Sequence, residues 1–484
     1  MFNTSSPLLI DGEHLYGNRR FETIDPATGA VLGEAADAAA SDLDHAITAA
    51  HRAFEESGWA TDLDRRTRCL RQLREALTRH AEELRELTIA EAGAPRFLTY
   101  GAQLDAPVAD LGWFADLAQE YEWERDLGRA APMGMASDRR VVREPVGVVG
   151  AITPWNFPHQ INLAKLGPAL AAGNTIVLKA APDTPWCAAA LGLLIKDETD
   201  IPPGVVNIIT GAGHALGAQL CADPRVGLIS FTGSTATGRA IMRTAAETLK
   251  KVFLELGGKS AFIVLDDADL KSACSYAAFA ACTHAGQGCA ITTRLLVPRD
   301  GYAEAVQITA HTMKKIGVGD PNDDRTVCGP VISAGQRDRI EGYLELAVKE
   351  GGGFATGGGR PAGRDRGFWI EPTLITGLAN ESRTAREEIF GPVLVILPHD
   401  GDDDAVRLAN DSPYGLSGAV HGGDLDRARA VARRLRTGTV SVNGGVWYSA
   451  DVPFGGYKQS GTGREMGVAG FEEYLETKSI AEGV

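Results

Sequence analysis

The sequence predicts an α/β protein with two parallel-sheet lobes. Short apolar runs recur from Val146 onward, helix-compatible segments separate them, and 484 residues exceed what one ordinary core accommodates. The runs are nearly continuous in apolar residues rather than alternating, as strands buried on both faces of a covered parallel sheet must be. At 44% apolar and 23% charged residues, the composition is that of a folded globular chain.

Residues 41–94 read as two helices. Ser41-Asp42-Leu43-Asp44 has a capping pattern and leads an Ala-rich run to about Glu56. Thr61 opens a longer amphipathic run with Leu70, Leu73, Leu77 and Leu84, ending near Gly93. Strands are then expected at Val146–Ile152, Thr175–Leu178, Val205–Ile209 and Gly227–Phe231. Helices over Ile161–Ala172, Trp186–Lys196, Ala215–Cys221 and Gly238–Leu249 alternate with them. A second alternating unit follows Glu255: strand Ala261–Leu265, helix Leu270–Cys282, then strands Arg294–Val297 and Val393–Leu397. Gly351-Gly352-Gly353 and Gly357-Gly358-Gly359 bracket a surface loop. The chain is expected to pass between lobes near Glu255–Lys259, so residues of both lobes should share one cleft.

Bulk properties exclude several classes. A formal charge of −15 with no basic run offers nucleic acid no footprint. No apolar run approaches a membrane span, and Met1-Phe2-Asn3-Thr4 lacks a charged-then-apolar signal, so a cytoplasmic location is expected. The seven cysteines are odd in number and scattered, which argues against a disulfide framework. No Cys or His pair follows Cys282 and Cys289 at zinc spacing, so no metal is expected. Six of the seven read as small buried hydrophobes.

Cys289 differs because Gly286-Gln287-Gly288 leaves its sulfur approachable. Glu255, in Leu254-Glu255-Leu256-Gly257-Gly258-Lys259, lies 34 positions earlier. A thiolate that attacks a carbonyl forms a covalent intermediate, and a nearby carboxylate suits the water that releases it. Thr232-Gly233-Ser234-Thr235-Ala236-Thr237-Gly238 opens a helix after a strand, where free N–H groups favour a phosphate. Its G-x-x-x-x-G spacing is neither the usual dinucleotide fingerprint nor a P-loop, and a plain tight connection has the same form. Asn156, in Pro154-Trp155-Asn156-Phe157-Pro158, reads either as an oxyanion donor or as the cap of a helix starting near Pro158. Lys179 ends a strand where open sheets bind ligands, or is a surface lysine. Glu388 reads locally as a solvated helix-end carboxylate and Phe390 as core.

Together these segments resemble the aldehyde dehydrogenase superfamily, from Asp25-Pro26-Ala27-Thr28-Gly29 to Glu476-Thr477-Lys478. The motifs quoted above carry the resemblance, with Glu388-Ile389-Phe390-Gly391-Pro392 and Pro453-Phe454-Gly455-Gly456-Tyr457-Lys458-Gln459-Ser460-Gly461. It implies two Rossmann-like parallel-sheet lobes, one nucleotide-binding (1–126 and 146–256) and one catalytic (257–456). A small β oligomerisation arm and C-terminal segment (127–145 and 457–484) complete the chain, which implies a homodimer or homotetramer. The resemblance implies Cys289 as nucleophile, Asn156 with the Cys289 N–H as oxyanion hole, and Glu255 as the base for deacylation. Lys165 and Glu465 match positions of a proton relay. Ile152, Thr153, Pro154, Trp155, Gly213, Phe231, Thr232, Gly233, Ser234, Gly238 and Leu256 match positions around the dinucleotide. Lys179 matches its adenosine-ribose ligand, Glu388 its nicotinamide-ribose ligand, and Phe390 a residue packing near the nicotinamide.

The implied reaction oxidises an aldehyde to its acid through a cysteine thioester. Glu255 favours water as the acyl acceptor over coenzyme A, which acylating relatives use. A cysteine hydrolase without a cofactor is a further alternative; it would need a His partner, and His284 is five residues from Cys289. One position departs from the family pattern. Where NAD-specific members place a ribose-binding glutamate, this chain has Pro182. Asp183 follows and supplies a carboxylate if the loop shifts, repelling a 2′-phosphate and favouring NAD; if it points away, Lys179 tolerates NADP. By the same matching, Phe157, Ile161, Ala164, Tyr448 and Phe454 line the substrate tunnel, with Gly288 and Ala290 beside the nucleophile and Trp447 near the mouth. The tunnel is expected to be roomy and apolar, suited to medium-sized apolar or aromatic aldehydes.

Overall fold

The computed structural model describes residues 6–484; the Met1–Thr4 segment lies outside the described residues. Five parallel strands form the centre of the first sheet: Val148–Ile152, Thr175–Lys179, Val206–Ile209, Val226–Thr232 and Lys251–Glu255. Numbered by chain order, they lie side by side as 3-2-1-4-5. The order therefore reverses between Val148–Ile152 and Val226–Thr232, and crevices at such reversals bind ligands in open α/β sheets. Ile152 is in register with both Lys179 and Phe231, and Thr232 with Glu255. Four loops that were read as chemical thus leave one sheet edge.

A second sheet follows, parallel except for its first strand. Its strands lie in the order Gly353–Thr356, Thr373–Thr376, Val393–His399, Thr292–Pro298, Ser260–Val264, Ser417–His421 and Thr439–Val442. Its central strands are buried along almost their whole length, as their continuous apolar runs required. The chain crosses from the first sheet to the second between Glu255 and Ser260, where the sequence placed the passage. The expected loop at 351–359 instead contains the edge strand Gly353–Thr356, paired antiparallel with Thr373–Thr376. Its exposed residues lack the apolar pattern that marks a strand.

Helices cover both sheets with small shifts from expectation. The first spans Ala40–Glu56, and Asp42 reaches back to accept the Ala39 N–H at 2.7 Å. The long run predicted over 61–93 is two helices, Leu63–Arg79 and Ala81–Ala92. His80 separates them with its backbone outside the helical range, and its ring pairs with Glu83 and Glu198. The helix expected from Gly238 starts at Thr235, where Ser234 caps it by accepting the Thr237 N–H at 3.2 Å.

A three-stranded antiparallel sheet forms the arm: Glu124–Ala130 and Ser137–Pro145 make a hairpin, and Leu475–Gly483 pairs with its second strand. The hairpin opens at Glu124, before the expected residue 127. Within the last 28 residues, Gly461–Thr462 instead joins the first sheet beside Leu254–Glu255. No helix among the described residues is long and apolar enough to cross a membrane.

Candidate active site

Cys289 sits on a loop that the surrounding backbone fixes closely. Gly286 takes a φ of +69°, and a Cβ there would lie 2.0 Å from the Gly391 carbonyl oxygen, so only glycine lets the loop seat. Gln287 accepts the Ile332 N–H at 2.9 Å and donates to the His284 and Pro330 carbonyls. Asn156 Nδ2 donates to the Gln287 carbonyl at 2.9 Å, two residues before the sulfur. Asn156 is therefore not a helix cap: the Pro158–Ala172 helix has no side-chain cap, and the Asn156 amide turns to the loop that carries Cys289. Its second N–H remains available to an oxyanion beside Cys289.

One cleft of about 180 Å³ gathers eleven of the residues singled out from the sequence. Pro154, Trp155 and Asn156 come from the first strand's loop, and Thr232, Gly233 and Ser234 from the fourth's. Glu255 and Leu256 come from the crossing, and Cys289, Glu388 and Phe390 from the second lobe. Glu388 is half-buried and accepts the Gly258 N–H at 2.9 Å, which replaces the reading of a solvated carboxylate. A Cβ on Gly257 would lie 2.3 Å from its carboxylate. Phe390 is not core either. Half-buried in the cleft wall, it holds a left-handed φ of +62° and sets its ring edge-on to Trp155 at 5.4 Å. Such a backbone in a non-glycine residue costs on the order of 1–3 kcal/mol and persists only where surroundings enforce it.

Gln336 and Arg339 supply that enforcement. Gln336 donates to the Phe390 carbonyl at 2.7 Å and Arg339 to the Glu388 carbonyl at 2.7 Å. The sequence reading missed both. They lie three apart on the Ala334–Lys349 helix, a spacing that local sequence cannot distinguish from any solvated helix face.

Glu255 lines the cleft yet is only 2% exposed, with neither carboxylate oxygen hydrogen-bonded. Burial, reinforced by Glu465, pushes its proton affinity well above the carboxylate range, while Lys165 and Arg464 pull the other way. Lys165 is fully buried and donates to Glu465 at 3.0 Å. Cys289 is half-buried, and burial with the Glu255, Glu388 and Glu465 carboxylates raises its thiol far above the usual range. The other six cysteines are buried. His284 is no partner for the thiol. It is buried, its Nε2 donates to the Asn156 carbonyl at 2.8 Å, and burial holds its pKa down to about 4.

Thr153, Lys179, Pro182, Asp183, Gly213 and Gly238, which the resemblance matched to positions around the dinucleotide, do not line this cavity. Thr153 donates its N–H to the Lys179 carbonyl at 3.2 Å. Lys179 is 3% exposed rather than a surface lysine; burial lowers its pKa, while Asp183 and Asp37 raise it. Pro182 and Asp183 are half-buried in the next turn, and Gly213 is exposed on the loop before the Ala215–Ala222 helix. Gly238 packs so closely that a Cβ would meet Leu256 at 2.8 Å. No His, Cys, Asp and Glu cluster among the described residues is arranged to hold a metal.

Comparison with known proteins agrees with this arrangement. The aldehyde dehydrogenase family model matches residues 15–480. A 3-succinoylsemialdehyde-pyridine dehydrogenase from a Pseudomonas species is 43% identical over 478 residues, 97% of each chain. A betaine aldehyde dehydrogenase from Staphylococcus aureus, solved with NAD+, superposes with a TM-score of 0.95 at 37% identity, covering 99% of this chain and 95% of that one. A mutant aldehyde dehydrogenase C from Pseudomonas syringae, solved with NAD+ and octanal, gives a TM-score of 0.91 at 38% identity over 98% of this chain and 96% of that one. The protein described here belongs to the aldehyde dehydrogenase family.

Proposed function

We propose that this enzyme oxidises an aldehyde to its carboxylic acid with NAD+, Cys289 carrying the acyl group and Glu255 preparing the water that removes it. The convergence of Cys289, Asn156, Glu255 and Glu388 on one cleft carries the reading. The residues fit a dinucleotide. The Thr235–Ala245 helix begins at the sheet's reversal point, and Glu388 is pressed against Gly257 and Gly258 facing the same space. Ser234 and Gly233 would hold its pyrophosphate, Glu388 a ribose, and Trp155 with Phe390 would wall the nicotinamide. When bound, NAD+ supplies the hydride acceptor.

Each step follows from the side chains. The Cys289 thiol must first lose its proton, because the thiolate is the nucleophile. Sulfur then bonds to the aldehyde carbon, and the resulting oxyanion lies within reach of the second Asn156 N–H and the Cys289 backbone N–H. Loss of hydride leaves a thioester on Cys289. Glu255 takes a proton from water as the water oxygen bonds to the acyl carbon. Cleavage of the C–S bond releases the acid and restores the thiolate. The proton that Glu255 gains then leaves by way of the nearby Lys165–Glu465 pair. Exchanging Cys289 for alanine while following NADH formation across aliphatic, aromatic, amino- and semialdehydes tests this; full activity in C289A overturns it.

For the cofactor, Asp183 stands near Lys179 and His214, where burial raises its pKa and both neighbours lower it. A carboxylate there disfavours a 2′-phosphate, hence NAD+ over NADP+. Asp183→Ala is expected to narrow the ratio of kcat/KM for the two; an unchanged ratio discards Asp183 as its source. For the substrate, Trp447 stacks on Phe454 at 5.3 Å, and Tyr448 and Phe454 pack against the apolar cluster that includes Ala164, which favours medium-sized apolar or aromatic aldehydes. The arm's edge strands, Glu124–Ala130 and Leu475–Gly483, flank Ser137–Pro145 and are where a second copy would pair in a homodimer or homotetramer.

A further inference from the structure

Behind Glu255 a buried polar chain runs deeper than the acid–base step requires. Lys165 Nζ donates to Glu465 at 3.0 Å and to Ser230 Oγ at 3.0 Å, and lies over the Phe253 ring at 4.9 Å from its centroid. Two of its N–H groups are thus taken by Glu465 and Ser230, the ring limits the space for the third, and none is hydrogen-bonded to Glu255. Ser230 in turn shares a hydrogen bond with the Tyr474 hydroxyl at 3.2 Å. Ser230 is fully buried and Tyr474 is 1% exposed, so no solvent competes for these bonds.

Ser230 interrupts an otherwise apolar stretch, Leu228-Ile229-Ser230-Phe231, in the central strand paired with Ala151 and Phe253. A hydroxyl costs free energy there unless it is bonded, and its two recorded partners are Lys165 and Tyr474. Tyr474 is itself held from both ends. Its ring packs edge-on against Phe253, and its carbonyl accepts from the Val146 N–H at 3.2 Å and Asn174 Nδ2 at 3.0 Å. The next residue begins the Leu475–Gly483 strand of the arm.

We propose that Ser230 and Tyr474 are positioning residues that hold the Lys165 ammonium between Glu465 and Glu255, so that Glu255 can shed its proton after each hydrolysis. The proposal rests on the reading of Lys165 and Glu465 as the outlet for that proton. The charges facing Glu255 are Glu465, Lys165, Arg464 and Glu473, with Cys289 across the cleft. Glu465 and Glu473 raise its proton affinity; Lys165 and Arg464 lower it. A Lys165 ammonium that swings away withdraws the largest opposing charge and keeps Glu255 protonated to higher pH. Because Tyr474 directly precedes the arm strand, its bond to Ser230 ties the Lys165 site to the segment that pairs with the hairpin.

The test is the rate of acyl-enzyme hydrolysis against pH, read by rapid quench and mass spectrometry of the Cys289 adduct. Ser230→Ala and Tyr474→Phe are compared with Ser230→Thr, which restores the hydroxyl, and with Lys165→Met. Ser230→Ala is expected to form the acyl-enzyme at the normal rate and to hydrolyse it several-fold more slowly near neutral pH. Its rising limb should move up by about one pH unit. Tyr474→Phe should shift the limb less in the same direction, and Ser230→Thr should return it. If folded Ser230→Ala and Tyr474→Phe both keep the wild-type limb while Lys165→Met loses hydrolysis, the positioning role is wrong and the outlet stands. If Lys165→Met hydrolyses normally, the outlet itself is wrong. Should Ser230→Ala fail to fold, Tyr474→Phe, which removes one oxygen from a packed ring, decides alone.

Discussion

Asn156→Ala separates two functions of one amide. In the folded protein Asn156 is 4% exposed, one N–H bonded to the Gln287 carbonyl at 2.9 Å and the other open to the cleft. Its backbone carbonyl, which accepts from Gln103 and His284, is untouched by the exchange. Loss of the Gln287 bond leaves one buried carbonyl unpaired, worth about 1–3 kcal/mol. In a chain of this size that moves the melting temperature by no more than a few degrees. Loss of an oxyanion donor is worth about 3–4 kcal/mol in the transition state, or roughly 10²–10³ in kcat. Steady-state kcat and calorimetry on the same preparation give both numbers. A melting shift of that size with kcat down by less than about tenfold refutes the oxyanion role and leaves Asn156 as a loop anchor.

Glu255→Gln should keep the aldehyde-capturing half of the reaction and stop the hydrolytic half. The expected result is a burst of one NADH per site followed by a stalled Cys289 adduct, and steady turnover near the wild-type rate refutes the base assignment. Glu91 offers a stability test away from the cleft. It is fully buried, accepts from the Trp186 and Cys187 N–H groups at 2.8 Å and from Thr23 at 3.1 Å, and burial raises its pKa to about 7. Its folded-state pKa lies above the unfolded one, so the folded state holds more protons between about pH 4.5 and 7. Stability is therefore expected to fall as pH rises through that window, by an amount on the order of 3 kcal/mol from this group, and to level off above it. Urea unfolding at several pH values should show Glu91→Gln flattening that fall; an unchanged slope assigns it elsewhere.

The strand–helix alternation, the two sheets and the crossing at Glu255–Lys259 were legible because burial on both faces writes itself into continuous apolar runs. That residues of both lobes would share one cleft was legible from the passage at Glu255–Lys259, and Thr232–Ser234, Glu255 and Cys289 do line one. Local sequence left alternatives open, or drew one helix for two, where the deciding neighbour is distant in sequence. Nothing near Asn156 indicates that its amide reaches Gln287, 131 residues away. Glu388 looks solvated until Gly258 is placed against it, and the run over 61–93 looks like one helix until His80 meets Glu198.

From sequence alone came the reaction's parts: a thiol, a carboxylate, a helix start for a phosphate, and the family they resemble. Only the tertiary structure decided their surroundings. It buried Glu255 without a hydrogen bond, set Lys165 between Glu465 and Ser230, bonded His284 to the Asn156 carbonyl and brought Gln336 and Arg339 to the backbone carbonyls of Phe390 and Glu388. Residue type fixes what a group can do, whereas proton affinity and aim depend on desolvation and on partners that the fold recruits from anywhere in the chain.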